Sequence, residues 1–552
     1  MTPAILLKQA EIHTGRNAVP LFRQGLSSPQ KGVESMKKYS DLEFLRLSKW
    51  NKFVYKFLSF FAAIPKAILN FFVKIGKGVG NFFAAIGREI SDIVSTFVKG
   101  DWKTKVSYFI MGFGSCARGQ WLRGIMFFLF EVVFIGYMIT TGGYWLSMLP
   151  SLGFQGREKI ITTQTQFGRT VEIESFQYHD NSFKILLYGV LTIFFIIAFI
   201  YTWRSNIKQN KISEQILKSG KKLKSGKDDL RSLVDDNFHR TLLALPLTGI
   251  LVFTVMPLFF MILVAFTNYD YRHDGLINLF QWQGLAGFKE MLTWSSGGVN
   301  YSAAFGEILT WTLIWAFFAT FTNYFLGMFV AMMINKKGIR LKKLWRTVLI
   351  LTIAIPQFIS LLYVSKMFAD NGLINLALLD MGWITKPIGF WTDTANHGLL
   401  AKVMVIIINI WVGIPYLMLV ATGILMNIPA DLYESAKIDG ASGWKQFSKI
   451  TLPYMLFITG PYLLTSFTSN MNNFNMIYLL TGGAPTNAAL SGASSVGYTD
   501  LFITWIFKMI NGAEPKYYLA SVVGILIFLV VAVISLVVYS LLPSVKNEED
   551  FQ

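Results

Sequence analysis

The sequence predicts an all-α, polytopic membrane protein with about eight transmembrane helices. Hydrophobic residues make up 53% of the 552 residues, charged residues make up only 15%, and the mean hydropathy is +0.46. A water-soluble chain of this length would carry more charge on its surface. Apolar segments of roughly 20 residues, the length that crosses a bilayer as a helix, recur along the chain. These segments lie at about 123–142, 183–203, 242–267, 310–334, 347–368, 402–426, 454–480 and 518–542.

The predicted spans divide the chain into regions of different character. Residues 1–45 are polar and are predicted to form a tail without a core of its own. Residues 121–240 contain the first two spans and a basic cytoplasmic linker, whose centre is predicted to be a solvated loop. Residues 241–552 contain the other six spans and form the core of the protein.

Residues 46–120 are predicted to form amphipathic helices in the membrane interface. Their apolar residues recur at helical spacing between Ile68 and Phe97, but basic residues interrupt every apolar run. This pattern is typical of helices that lie along a membrane surface. Breaks in the helices are expected near Pro65 and at 76–80, where glycines accumulate. The alternative is a helical hairpin that packs against other subunits.

The distribution of positive charge predicts the orientation of the chain in the cell membrane. The formal net charge is +18, and a cytoplasmic N-terminus places 39 of the 50 lysines and arginines on the cytoplasmic side. Cytoplasmic loops of membrane proteins carry such an excess, so both termini are predicted to be cytoplasmic. Because these basic residues flank membrane spans, we expect anionic lipids rather than nucleic acid as their partners.

Patterns for catalysis or metal binding are not evident in the sequence. The single cysteine, Cys116, excludes an intrachain disulfide, and the five histidines are scattered singly without the spacing of a metal or acid–base site. Residues 220–227 match a phosphate-binding loop poorly, because Asp228 stands where a hydroxyl would bind magnesium. We therefore expect no catalytic residue, metal or cofactor in this chain. For Glu131, the clearest charge within a span, packing against a neighbouring helix is expected in preference to proton coupling.

Residues 430–453 form a polar helix–turn–helix pattern between two long apolar segments. Gly440 permits a tight turn, and Pro453 suits the first turn of the following helix. The pattern contains, in order, Glu434, Ser435, Ala436, Asp439, Gly440, Ala441, Phe447, Ile450, Leu452 and Pro453. It resembles the cytoplasmic coupling loop of ABC importer permeases. The resemblance implies a type I importer permease fold and contact of residues 434–441 with one of two ATPase subunits, which use ATP and magnesium.

Further motifs make the resemblance more specific. They are Phe-Thr-Asn-Tyr at 266–269, Asn-Asn-Phe at 472–474, Leu-Leu-Thr-Gly-Gly-Ala-Pro at 479–485 and Gly-Tyr-Thr-Asp at 497–500. From about residue 183 onward the chain resembles the larger, MalF-type membrane subunit of maltose and maltodextrin importers. This implies a MalG-type second permease subunit and an extracellular sugar-binding protein. Gram-negative members have a folded periplasmic domain after the third span, whereas this chain has only a short loop at about residues 268–305. This short loop resembles that of Gram-positive relatives, in which the binding protein is a lipoprotein.

The resemblance also implies positions for sugar-binding residues. In the sixth and seventh spans these are Asn409, Val412, Gly413, Tyr416, Ser466, Ser469, Asn470 and Asn473. Each set of four shares one helical face, and amides and hydroxyls are suitable partners for sugar hydroxyls. The alternative is that these polar residues only join helices within the membrane.

Three positions differ from the family pattern and affect the predicted substrate. Ile353 and Gln357 in the fifth span stand where maltose permeases have a tyrosine and a serine, and Ser469 replaces an aromatic residue. The predicted substrate is an oligosaccharide, with maltose or maltodextrin favoured and longer maltodextrins or other oligosaccharides left open. Transport is expected to follow alternating access. An ion-coupled secondary transporter or a membrane scaffold is the alternative from another class, but the sequence lacks intramembrane charge pairs and inverted repeats.

Overall fold

The computed structural model describes residues 48, 73, 76–166, 169–293, 299–336, 338–490, 492 and 495–541. The chain divides into two units, residues 1–83 and residues 84–552. The tail predicted at 1–45 and the break predicted near Pro65 lie outside the described residues.

Helices dominate the described residues. In the first half of the chain they are α1 (76–99), α2 (Trp102–Val106), α3 (Phe113–Cys116), α4 (Trp121–Met148), α5 (Ser182–Lys218), α6 (Gly226–Val234) and α7 (Phe238–Val264). In the second half they are α8 (Ala286–Leu292), α9 (Tyr301–Asn335), α10 (Lys342–Ala354), α11 (Gln357–Met367), α12 (Leu373–Asp380), α13 (Ala395–Leu425), α14 (Ala430–Ile438), α15 (Gly443–Gln446), α16 (Leu452–Met471), α17 (Phe474–Leu480), α18 (Phe502–Asn511) and α19 (Tyr517–Leu541).

The number of candidate membrane spans agrees with the predicted number of about eight. Within the described residues, seven helical segments are long and apolar enough to cross a membrane, and the count is eight if one bent pair forms a single span. The seven are α4, α5, α7, α9, α13, the segment Gly443–Leu480 and Tyr517–Tyr539 in α19.

The bent pair consists of α10 and α11, and it changes the predicted fifth span. The sequence predicts one continuous helix over about 347–368, whereas the two helices meet at an angle of 88°. Pro356 between them cannot donate a backbone hydrogen bond, and its ring disfavours the helical conformation of the preceding residue. Ile355 is accordingly extended, with φ −79° and ψ 125°.

A two-stranded antiparallel hairpin joins α4 to α5 and was not predicted. Its strands are β1 (Glu158–Gln166) and β2 (Arg169–Gln177), with Glu158 opposite Gln177. Isoleucine, valine and threonine are frequent in this segment, which is the composition that favours strands. At the base, the Arg157 guanidinium lies 3.4 Å from the Phe176 ring centre, and the Arg157 amide donates to the Leu276 carbonyl at 2.8 Å. These contacts attach the hairpin to the loop that follows α7.

The N-terminal region and the linker are more regular than the sequence predicts. Residues 76–99 are helical without interruption, so the break predicted at 76–80 is wrong. Exposed glycines cost a helix only about 1 kcal/mol each, which the surrounding helical sequence outweighs. The linker centre is also partly helical, because the Ser225 and Asp228 side chains form a capping box at the start of α6.

Glu131 in α4 serves the local structure of the N-terminal region. Its side chain is buried, and its Oε2 accepts a hydrogen bond from the Met111 backbone amide at 2.8 Å. This contact fixes the loop between α2 and α3 against α4, and it agrees with the expectation of a packing role.

The core of the second unit forms where α9 packs against α13 and α16. The two helices α9 and α13 can approach closely because Gly327 of α9 has no side chain. A Cβ added to Gly327 would lie only 2.6 Å from the Leu417 Cβ of α13. The motifs at 479–485 and 497–500 meet beside this core. Thr499 Oγ1 donates to the Ala484 carbonyl at 2.7 Å, and the buried Asp500 carboxylate pairs with Lys508 at 2.6 Å. Hence these two motifs, which belong to the MalF-type pattern, form one hydrogen-bonded unit.

Candidate functional site

Polar side chains from α9 and α16 meet within the helix bundle. Asn470 Nδ2 donates to Thr320 Oγ1 at 3.0 Å, and the Trp315 indole nitrogen donates to the Asn470 carbonyl at 3.0 Å. Asn473 Oδ1 accepts from the Met476 amide at 3.2 Å and caps α17, while its Nδ2 lies 3.5 Å from Asn470 Oδ1. The two asparagines are therefore adjacent, and each also supports the local helical structure.

The seam between α9 and α13 adds two further amides close to the midpoints of those helices. Gly413 of α13 lies directly against Asn323 of α9, because a Cβ on Gly413 would be 2.2 Å from Asn323 Nδ2. Asn409 lies one helical turn before Gly413 on the same face. The side chains of Asn323 and Asn409 are 7% and 5% exposed, and neither Asn323 Oδ1 nor Asn409 Nδ2 has a hydrogen-bond partner among the described residues. Unpaired buried amides are rare because they lose their hydration without compensation.

The other predicted binding residues lie on more open surfaces. Tyr416 is exposed and lies near Tyr462, which shares a hydrogen bond with Ser466. Ser469 is exposed, and Val412 is half-buried. Tyr416 and Ser466 thus form a second group on α13 and α16.

Ile353 and Gln357 lie at the bend in the fifth span. Both are exposed and flank the bend between α10 and α11. No described hydrogen bond joins Gln357 to the amides of α13 and α16.

Sequence reasoning missed the contribution of α9 to this cluster. Thr312, Thr320 and Asn323 lie on the buried side of an apolar span, and Thr312 Oγ1 has no hydrogen-bond partner among the described residues. Their spacing of three to eight residues along one helix was an available signal, since buried polar residues in a span are costly and therefore often functional.

The predicted coupling segment folds as a helix, a tight turn and a second helix. Gly440 after α14 has φ +70°, and the Ala441 amide donates to the Ala436 carbonyl at 2.8 Å. Only glycine adopts this backbone conformation without strain. Ser442 then caps α15, and the Tyr433 hydroxyl lies 2.8 Å from Thr451 Oγ1 just before α16. The segment is thus fixed to the base of a membrane span.

The coupling segment presents both polar and apolar groups at its surface. Glu434, Ser435, Asp439 and Gly440 are exposed, Ala436 and Ala441 are half-buried, and Glu434 forms no ion pair within the described residues. Ile438 and Trp444 on either side of the turn are 87% and 74% exposed, and sequence reasoning did not single them out. Ile438 and Trp444 therefore add exposed apolar surface beside the turn.

The part of the chain that the structure describes contains no cluster of three histidine, cysteine or acidic side chains arranged for a metal ion. The site itself presents amides and hydroxyls for hydrogen bonding and the exposed aromatic ring of Tyr416.

Comparison with known proteins gives matches over most of the chain. Residues 323–546 match the family described as "Binding-protein-dependent transport system inner membrane component". The maltodextrin permease MalC of Streptococcus pneumoniae is 30% identical over 455 residues, covering 80% of this chain and 95% of MalC. The galactooligosaccharide permease GanP of Bacillus subtilis is 33% identical over 444 residues, covering 80% of this chain and 97% of GanP.

A Gram-negative relative matches over a shorter length. The maltose/maltodextrin permease MalF of Escherichia coli is 34% identical over 257 residues, which cover 44% of this chain and 48% of MalF. The full-length similarity is thus to permeases of the MalC and GanP kind. This chain belongs to the MalF-type family of membrane permease subunits of binding-protein-dependent ABC importers.

Proposed function

We propose that this permease moves an oligosaccharide inward, and that the amides of α9, α13 and α16 contact the sugar. The observation that supports this site is the convergence of three amides, those of Asn323, Asn409 and Asn470, while Thr320 serves as the hydrogen-bond partner of Asn470 Nδ2. Two buried amides there have atoms without a hydrogen-bond partner among the described residues. Packing alone does not require such atoms, whereas a sugar hydroxyl or its bridging water would satisfy them.

The proposed substrate class is maltodextrin or a related neutral oligosaccharide such as a galactooligosaccharide. Relatives with both substrates match this chain equally far along its length. Aromatic surface for stacking on sugar rings is available from the exposed Tyr416, while Ile353 and Ser469 provide none. These two substitutions support a site with fewer stacking groups than that of the maltose permeases.

The proposed assembly contains a MalG-type second permease, two ATPase subunits that use ATP and magnesium, and an extracellular sugar-binding lipoprotein. The chain itself is proposed to bind no cofactor and to have both termini in the cytoplasm. Closure of the ATPases would move α14 and α15, and the contact between Tyr433 and Thr451 would transmit this motion to α16. Alternating access of the sugar site would follow.

A pair of substitutions tests the sugar site against a packing role. Asn470→Leu removes the whole amide, whereas Thr320→Val removes only the partner of Asn470 Nδ2 and leaves the Asn470 oxygen in place. The measurement is uptake of labelled maltotriose and galactotriose in a strain lacking this chain and complemented with each variant.

If Asn470 binds sugar, Asn470→Leu abolishes uptake and Thr320→Val retains most of it, with normal membrane assembly in both. Equal losses in the two variants, or failure of Asn470→Leu to assemble, would establish the packing role instead. Uptake of neither sugar by the wild type would overturn the proposed substrate class.

A further inference from the structure

The second half of α1 is attached to the C-terminal half of α5 by ion pairs and hydrogen bonds. The Glu89 carboxylate pairs with Arg204, and the Asp92 carboxylate pairs with Lys211. The Tyr108 hydroxyl donates to the Ile93 carbonyl at 2.7 Å, and the Trp203 indole donates to the Tyr108 carbonyl at 2.9 Å. Residues 84–99 are thus held beside a defined stretch of α5.

This stretch of α5 marks a boundary of the membrane. The apolar part of α5 ends at Trp203, and charged residues begin at Arg204. Tryptophan and tyrosine are enriched where a membrane meets water, and Trp121 at the start of α4 is also exposed. Residues 84–121 therefore lie beside the level at which α4 begins and the apolar part of α5 ends.

The exposed side of α1 is apolar at helical spacing. Ile86, Ile90, Val94 and Val98 follow one another every four residues and therefore share one face. Ile90, Val94 and Val98 are 55%, 56% and 66% exposed. Thr96, on the side of α1 that faces the protein, is buried. The apolar stripe thus points away from the rest of the described structure.

The charges of this region leave a positive surplus. Its three acidic residues, Glu89, Asp92 and Asp101, are all paired with arginine or lysine within the described structure. Four other basic residues of this region have no carboxylate within ion-pair distance among the described residues. These four are Arg88, Lys99, Lys103 and Lys105. A surface with an apolar stripe and surplus positive charge is complementary to anionic lipids.

We infer that residues 84–121 form a foot that lies in the cytoplasmic membrane interface, inserts the Ile86–Val98 stripe between lipids and contacts anionic headgroups through its basic residues. The foot is independent of the transported substrate. Its attachment to α5 would fix the first two spans relative to the membrane surface.

Site-directed spin labelling of the whole importer in lipid nanodiscs tests the foot. In a Cys116→Ser background, single cysteines replace Val94 and Val98 on the stripe and Arg88, an exposed residue off the stripe on the same helix. The measured quantity is the ratio of collision rates with oxygen, which concentrates in lipid, and with a water-soluble nickel chelate. The ratio is expected to be higher at Val94 and Val98 than at Arg88.

Two results would overturn the inference. Equal and high nickel accessibility at all three positions would place the stripe in water, and low accessibility to both reagents at 94 and 98 would show that a protein partner covers it. Nanodiscs of phosphatidylcholine with and without phosphatidylglycerol test the headgroup contact. Loss of the anionic lipid is expected to lower the ratio at Val98, and the double variant Lys99→Gln, Lys105→Gln should reduce this dependence. An unchanged ratio would refute the contact with anionic lipid.

Discussion

Replacing Gly413 by alanine should separate α9 and α13 at the proposed sugar site. The added Cβ would lie 2.2 Å from Asn323 Nδ2 and 2.7 Å from Asn323 Cγ, both far inside normal contact distance. Asn323 is buried, so its amide has little space into which it can turn. We therefore expect the helices to move apart, or Asn323 to adopt a strained rotamer.

The magnitude follows from two opposing terms. Overpacking of a well-packed core costs about 1–3 kcal/mol, whereas replacing a helical glycine by alanine gains about 1 kcal/mol. Gly423 on the same helix is a matched control, because a Cβ there would meet nothing within 4 Å. The difference in unfolding free energy between Gly413→Ala and Gly423→Ala is therefore the overpacking cost, about 1–3 kcal/mol.

The assay is thermal unfolding of the purified importer, compared between the two variants. Gly413→Ala should unfold at a lower temperature than Gly423→Ala and should show reduced sugar uptake. Adding Asn323→Ala to Gly413→Ala removes the atoms that clash, so the double variant should be less destabilised than the sum of the single changes. An unfolding temperature for Gly413→Ala equal to that of Gly423→Ala, or no rescue by Asn323→Ala, would refute the reasoning.

Three further predictions concern the coupling segment and residues 101–118, which are proposed to lie on the cytoplasmic side. Glu434→Lys should abolish uptake while sugar binding by the partner protein persists, because the exposed carboxylate is proposed to contact a basic ATPase residue; normal uptake at normal protein levels would contradict this. Ile438→Ser should weaken binding of the ATPase roughly tenfold to a hundredfold, because burying an isoleucine contributes about 1.5–3 kcal/mol. Leu285→Ser, in the loop proposed to lie on the opposite side of the membrane, should leave ATPase binding unchanged. The pKa of Asp101 lies below the usual 3.8, because the opposing effect of partial burial is outweighed by hydrogen bonds from Thr104 and by the Arg118 guanidinium. The ionised Asp101 carboxylate therefore contributes its full stabilisation above about pH 3.8, and this contribution is lost as the pH falls through the lower pKa of the folded state. Hydrogen exchange in residues 101–118 should accelerate over that pH range. The acceleration should be smaller in Asp101→Asn.

The helix–turn–helix form of residues 430–453 and the family relationship could be predicted from the sequence because they depend on local signals. Gly440 must adopt a left-handed conformation after α14, and Ser442 caps the next helix, so the turn is encoded by adjacent residues. The same holds for most membrane spans, since the length and hydropathy of a segment decide whether it crosses a bilayer. The bend at Pro356 was also a local signal, but the angle between α10 and α11 depends on what each helix packs against.

The sequence by itself determined that this chain is a polytopic helical permease with a polar helix–turn–helix segment at 430–453 and polar residues in its sixth and seventh spans. Only the tertiary structure decided which side chains those polar residues meet. Thr320 and Asn323 are distant in sequence from Asn470 and Gly413, and their contacts exist because α9 packs between α13 and α16. The attachment of α1 to α5 through Glu89 and Asp92 is likewise a contact between separate segments. Such pairings depend on which helix faces come together in space, and periodicity along one segment does not specify them.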